Sequence, residues 1–89
     1  MERRGSLESA FGEVVRQLRT SARLSQEQLA EAADLHRNYV GLVERGVNSP
    51  SLSAVASIAR ALGVVPSELL RRAEEKASPP PATGESAKE

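Results

Sequence analysis

Residues 25–46, SQEQLAEAADLHRNYVGLVERG, decide the fold. Their apolar members Leu29, Ala30, Ala33, Leu35, Val40 and Val43 recur at spacings of one, three, two, five and three. A single helical stripe does not have that rhythm, whereas two short helices sharing one core do. Ser25 with Gln28 three residues later has the form of a capping box, which starts a helix at about Gln26. That helix is expected to end near Ala33, with Ala33-Asp34-Leu35 as the turn. A second helix runs from about Arg37 to Arg45 and stops at Gly46, a residue suited to a left-handed terminator. His36 holds its N-cap, where Ser or Thr would cap better.

Outward from this pair, Phe11, Val15, Leu18 and Ala22 recur at four, three and four, the pattern of an amphipathic helix from about Leu7 to Ala22. Residues 1–6 are polar and read as a flexible N-terminus. Val47-Asn48-Ser49-Pro50 is a loop, and Ser51 caps a helix from Leu52 to Leu62. The expected buried stripe of that helix is Leu52, Val55, Ile58 with Ala59, and Leu62, and Gly63 ends it. Pro66 suits the first turn of a fifth helix reaching about Lys76. From Ala77 the composition turns to Ser, Pro, Gly, Lys and Glu, with Pro79-Pro80-Pro81, and residues 77–89 read as a disordered tail. Strand alternation, hairpin signals and repeats do not occur. The expectation is all-α: a compact five-helix domain over residues 7–76.

A chain of 89 residues makes one small domain with little interior. One Phe, one Tyr and no Trp leave Leu, Val, Ile and Ala to build the core, and a partner subunit would bury more. The absence of Cys excludes disulfides and thiolate metal sites. Neither a bilayer-spanning apolar run nor a signal-peptide core is present, so the expected setting is soluble, cytoplasmic and away from membranes. Net charge is formally zero. Residues 1–49 hold seven Arg against seven Asp and Glu, so a nucleic-acid ligand would depend on charge placement, neutral donors and dimerisation.

The outward residues of the second short helix carry the chemistry. A short helix fixed by a partner, with bidentate side chains at its N-terminal end, suits a DNA major groove. Arg37 can donate twice to guanine O6 and N7, and Asn38 can pair with adenine N6 and N7, each worth about 1–3 kcal/mol of discrimination. Gly41, one turn on and expected on the exposed face, would admit close approach of a backbone or thymine methyl. Leu42 could meet a thymine methyl or join the core. Gln26 and Gln28 lie where free N–H groups and a positive helix end attract phosphate. Tyr39 can offer its hydroxyl to a flanking phosphate. His36, Arg45, Asn48 and Ser49 could bind phosphates as well, setting register without reading sequence. Arg19, one step past the Val15–Leu18 stripe, is placed to pair with Glu44 and tie the first helix to the third. Catalysis has little support. His36 is the lone His, with no Cys and no carboxylates at metal spacing, and Gly41, Gly46 and Gly63 are too scattered for a phosphate loop. The reading is therefore a non-enzyme without cofactor or metal.

The run SQEQLAEAADLHRNYVGLVERGVNSPSLSAVASIARALGVVPSELL resembles the phage-repressor/Cro-like (XRE-type) helix-turn-helix family, over about Phe11 to Leu70. Within it, LHRNYVGLVERG is similar to the controller proteins of restriction–modification systems, whose recognition helix commonly starts His-Arg-Thr-Tyr. The resemblance implies a lambda-repressor-like domain that dimerises through its last two helices on a two-fold DNA operator and regulates transcription. By position it implies base reading at Arg37, Asn38 and Leu42, a contact at the His36 cap, a phosphate contact at Gln26 and an internal Arg19–Glu44 ion pair. Asn38 stands where controllers usually have Thr, and Gly41 and Leu42 where small polar residues are common. Val65 replaces the usual polar cap before helix five. Val55, Ile58, Leu69 and Leu70 are the apolar residues open to either core or dimer seam. The partners expected are double-stranded DNA and a second copy of the chain; no residue pattern speaks to RNA polymerase. The rival reading is an antitoxin or protein-interaction module that binds DNA secondarily, its tail acting as the binding segment. A DNA-binding half of a sensor is a second rival.

Overall fold

The computed structural model describes residues 6–77. Five helices follow one another: α1 (Leu7–Ser21), α2 (Gln26–Ala33), α3 (Arg37–Glu44), α4 (Leu52–Leu62) and α5 (Pro66–Ala77). The remaining residues of the expected flexible N-terminus and disordered tail lie outside that range. Ser6 does not belong with a flexible end: its Oγ accepts the Ser9 N–H at 3.1 Å and caps α1. Ala77 closes α5 instead of opening the tail. Helices α1 and α3 each stop one residue short of expectation, since Ala22 and Arg45 serve as their C-caps.

The turns share one device. At the ends of α1, α2, α3 and α4 the chain enters the left-handed region at Arg23, Asp34, Gly46 and Gly63. The next N–H then returns to a carbonyl five residues back: Leu24 to Arg19, Leu35 to Ala30, Val47 to Leu42 and Val64 to Ala59, at 2.8–3.0 Å. This is the Schellman closure, which satisfies carbonyls that a helix end leaves unpaired. In each case the residue after the left-handed one is Leu or Val; three of them, Leu24, Leu35 and Val64, are half-buried and Val47 is exposed. At the start of α2 the capping box is complete: Ser25 Oγ accepts the Gln28 N–H at 3.0 Å, and Gln28 Oε1 accepts the Ser25 N–H at 2.9 Å.

Phe11, Val15, Leu29, Val40, Val43, Ile58 and Leu69 meet in one core to which every helix contributes. The α1 stripe is wider than expected, because Ala10 and Val14 are buried too, while Ala22 is exposed at the C-cap. Leu52 departs from the expected α4 stripe. It is 82% exposed, since it follows the Ser51 cap directly and the buried side of α4 begins at Ala54 and Val55. Val55, Ile58 and Leu69 belong to the protomer's own core, whereas Leu70 is 36% exposed. Between α4 and α5 the axes bend by 100°, and among the described residues no single helix is long and apolar enough to cross a membrane.

Candidate nucleic-acid interface

Two close backbone contacts set α3. A Cβ at Gly12 of α1 would stand 2.3 Å from the Val43 carbonyl oxygen and 2.6 Å from that of Glu44. A Cβ at Gly46 would stand 2.9 Å from the Ser9 Cα. The first two turns of α1 therefore lie directly on the C-terminal end of α3, with no side chain between. The contact is then locked by charge. Arg19 Nε donates to Glu44 Oε2 at 2.6 Å and Arg19 Nη2 to Glu44 Oε1 at 3.0 Å, a bidentate pair whose side chains are 12% and 3% exposed. Arg19 Nη1 also donates to the Leu24 carbonyl at 2.8 Å, so one guanidinium links α1, the α1–α2 turn and α3.

Gln26 completes this network. Its Nε2 donates to Glu44 Oε1 at 3.0 Å, which orders the first side chain of α2 against α3. Sequence reasoning placed Gln26 at a phosphate but did not foresee this bond, because the partner is 18 residues away. The second amide hydrogen stays available. Gln28 differs: its carbonyl oxygen is engaged by the capping box, leaving the amide NH2 outside.

The exposed side of α3 opens onto a groove of about 440 Å³ lined by Gln26, Arg37, Asn38, Gly41, Leu42 and Arg45. Arg37 and Asn38 are exposed at the N-terminal end of the helix, and Leu42 is half-buried one turn along. Gly41 is buried, contrary to the expected exposed position, because the Gln26 and Arg45 side chains lie over it. His36 is the N-cap residue of α3 without a side-chain cap bond, and its ring is exposed. Tyr39 Oη accepts the Ser51 N–H at 3.4 Å, which leaves its own O–H to donate. Ser49 Oγ donates to Glu8 Oε2 at 3.2 Å, so its hydroxyl is engaged by a carboxylate; Asn48 beside it is half-buried.

The distribution of charge answers the zero net balance. Among the described residues no carboxylate lines the α3 groove, which carries Arg37 and Arg45. Glu44, at the end of the same helix, is buried against Arg19. An adjoining hollow at the α2–α3 turn holds Glu27, Glu31 and Asp34 beside His36 and Arg37, which confines the positive side to α3. On α5, Glu68 receives Arg72 Nε at 2.7 Å and Arg71 Nη2 at 2.8 Å. Those hydrogen bonds, Arg72's first, hold the Glu68 carboxyl below its ordinary range, and the bond to Glu68 raises the Arg71 guanidinium. Among the described residues no group of three or more His, Asp or Glu side chains could hold a metal ion.

The sequence pattern of a family described as a helix-turn-helix domain matches residues 10–73. Control protein C.BamHI of Bacillus amyloliquefaciens is 49% identical over 61 residues, covering 67% of this chain and 75% of that protein. The crystal structure of the restriction-modification controller protein C.AhdI from Aeromonas hydrophila superposes with a TM-score of 0.67 at 48% identity, covering 68% of this chain and 92% of that one. The clp gene regulator ClgR from Corynebacterium glutamicum superposes with a TM-score of 0.80 at 27% identity, over 88% of this chain and all of that one. The ClgR backbone fits better than that of C.AhdI, yet these two controllers are the more identical in sequence.

Proposed function

The chain belongs to the helix-turn-helix domain family, and from that premise we infer that it regulates transcription by binding double-stranded DNA, as a homodimer on a two-fold operator. The observation that carries this reading is the groove along α3, formed by Arg37, Asn38, Leu42 and Arg45 with no carboxylate among the described residues that line it, in a chain of zero net charge. DNA binders of this architecture lay the N-terminal end of the second helix against base edges. Here that end presents Arg37, suited to guanine, and Asn38, suited to adenine, with the half-buried Leu42 available to a thymine methyl. Gln26, held by Glu44 with a spare N–H, Tyr39 with its free O–H, His36 and Asn48 would contact phosphates. Gln28 can add its NH2 group, and Ser49 can do so after exchanging its bond to Glu8.

The family is a DNA-binding one and not an enzyme class. The high identity to two controllers supports a restriction–modification controller role in the cytoplasm. For the dimer seam, the apolar side chains still available around α4 and α5 are Leu52, Val65 and Leu70, because Val55, Ile58 and Leu69 are already enclosed.

The test is selection of bound sequences from a random DNA pool. The expected result is a two-fold motif with half-sites about one helical turn apart. Arg37→Ala should then lose preference at one position per half-site by about 1–3 kcal/mol while keeping the other positions. Equal loss on selected and random DNA would remove Arg37 from base reading. A well-folded dimer that enriches no motif would point to the protein-interaction reading instead.

A further inference from the structure

We propose that Arg45 reads a base instead of a phosphate, and that the missing side chain at Gly41 makes this possible; the proposal rests on the DNA-binding reading above. Arg45 follows the last residue of α3 but keeps right-handed helical backbone, φ −87° and ψ −2°. In that conformation a side chain leans toward the helix N-terminus, over the residue one turn back. That residue is Gly41. The position a Gly41 Cβ would take lies 3.8 Å from Arg45 Nη1 and 3.7 Å from Gln26 Oε1, so the guanidinium rests on bare helix backbone beside the Gln26 amide.

Two further observations set its role. Arg45 lines the same groove as Arg37, Asn38 and Leu42, and no described carboxylate shares that groove. Its side chain makes no hydrogen bond or ion pair with any described residue, whereas those of Arg19, Arg71 and Arg72 do. Its five donors are therefore unengaged in the groove where base edges would lie. A phosphate contact beyond the end of α3 would need the side chain turned the other way, toward the Val47–Asn48 loop. Arg37 and Arg45, eight residues apart on one helix face, thus form two guanine-reading points with Gly41 between them. Any longer side chain at position 41 would take the space that the second guanidinium occupies.

The random-pool selection decides this when repeated with Arg45→Ala and Gly41→Gln. Both variants should fold, since Arg45 is exposed and a Gly41 Cβ meets its neighbours only at ordinary van der Waals distance. Wild-type protein should enrich a guanine that is independent of the one lost in Arg37→Ala. In Arg45→Ala preference for that guanine should fall by roughly 5- to 150-fold, the span of one bidentate base contact. Gly41→Gln should lose the same position. If Arg45→Ala weakens every sequence alike, keeps the motif and reduces the salt slope by about one, Arg45 is a phosphate contact and the proposal falls. If Gly41→Gln keeps the guanine that Arg45→Ala loses, the part assigned to Gly41 falls. A wild-type selection without any motif overturns the DNA reading itself, an outcome distinct from either.

Discussion

Gly12 is the residue on which the placement of α3 depends most directly, and it does so by having no side chain. An added Cβ would meet the Val43 and Glu44 carbonyl oxygens inside van der Waals contact, and both are backbone atoms in a helix that cannot yield locally. Gly12→Ala should therefore destabilise the domain by about 1–3 kcal/mol, as other overpacked contacts do, although Ala favours helix. A urea melt measures it; an unchanged midpoint would mean that α1 and α3 separate freely. Glu44 is the second such residue. Its carboxylate is nearly enclosed and accepts two bonds from Arg19 and one from Gln26. Glu44→Ala strands the Arg19 charge and should cost about 3–5 kcal/mol, a large share of a stability of about 5–15 kcal/mol. Loss of under 1 kcal/mol in a denaturant titration would contradict the buried-pair assignment.

Among the elements, the four Schellman ends show a regularity at unequal cost. Gly46 and Gly63 enter the left-handed region without steric penalty, and Asp34 tolerates it through its short polar side chain. Arg23, with φ +63°, has neither advantage. The left-handed conformation costs such a residue about 1–2 kcal/mol, partly offset by the greater unfolded-state freedom of its Gly replacement, about 0.4–1 kcal/mol. Arg23→Gly should accordingly raise stability by up to about 1 kcal/mol, seen as a higher melting temperature. A lower one would indicate that the Arg23 side chain makes a stabilising contact. Helix α5 is held differently: Glu68 braces Arg71 and Arg72 on the surface, where solvent screens such pairs and each contributes little. The weight of α5 rests on Leu69 and Ala73 in the core.

For the whole molecule, one protomer offers one α3, which is too little surface to select a site among many. Two protomers related by a two-fold axis would present two such helices to successive major grooves, about 34 Å apart. Inserting about five base pairs, half of a turn of roughly ten, between the half-sites would put the second on the opposite face of the duplex. Affinity in a gel-shift titration should drop to that of a single half-site. Undiminished binding would mean that protomers bind independently.

Much of this was legible in the residues themselves. Five helices, their order, the complete Ser25–Gln28 box and the turns at Asp34, Gly46 and Gly63 follow from local chemistry, because caps and left-handed positions select residues within a few places along the chain. The outward pair Arg37 and Asn38 was legible for the same reason, through the period of the helix, whereas Leu42 stayed open between groove and core. The burial of Gly41, the exposure of Leu52 and the allotment of Val55, Ile58 and Leu69 to the protomer's own core instead of a dimer seam were not. Each depends on which neighbour covers a position, and neighbours distant in sequence leave no mark on local spacing. The same holds for the Gln26–Glu44 bond, for Gly12 against the end of α3 and for the lean of Arg45 over Gly41. Sequence alone determined the elements and the faces they could offer. Tertiary structure decided which of those faces are covered, because contact between helices is set by three-dimensional packing.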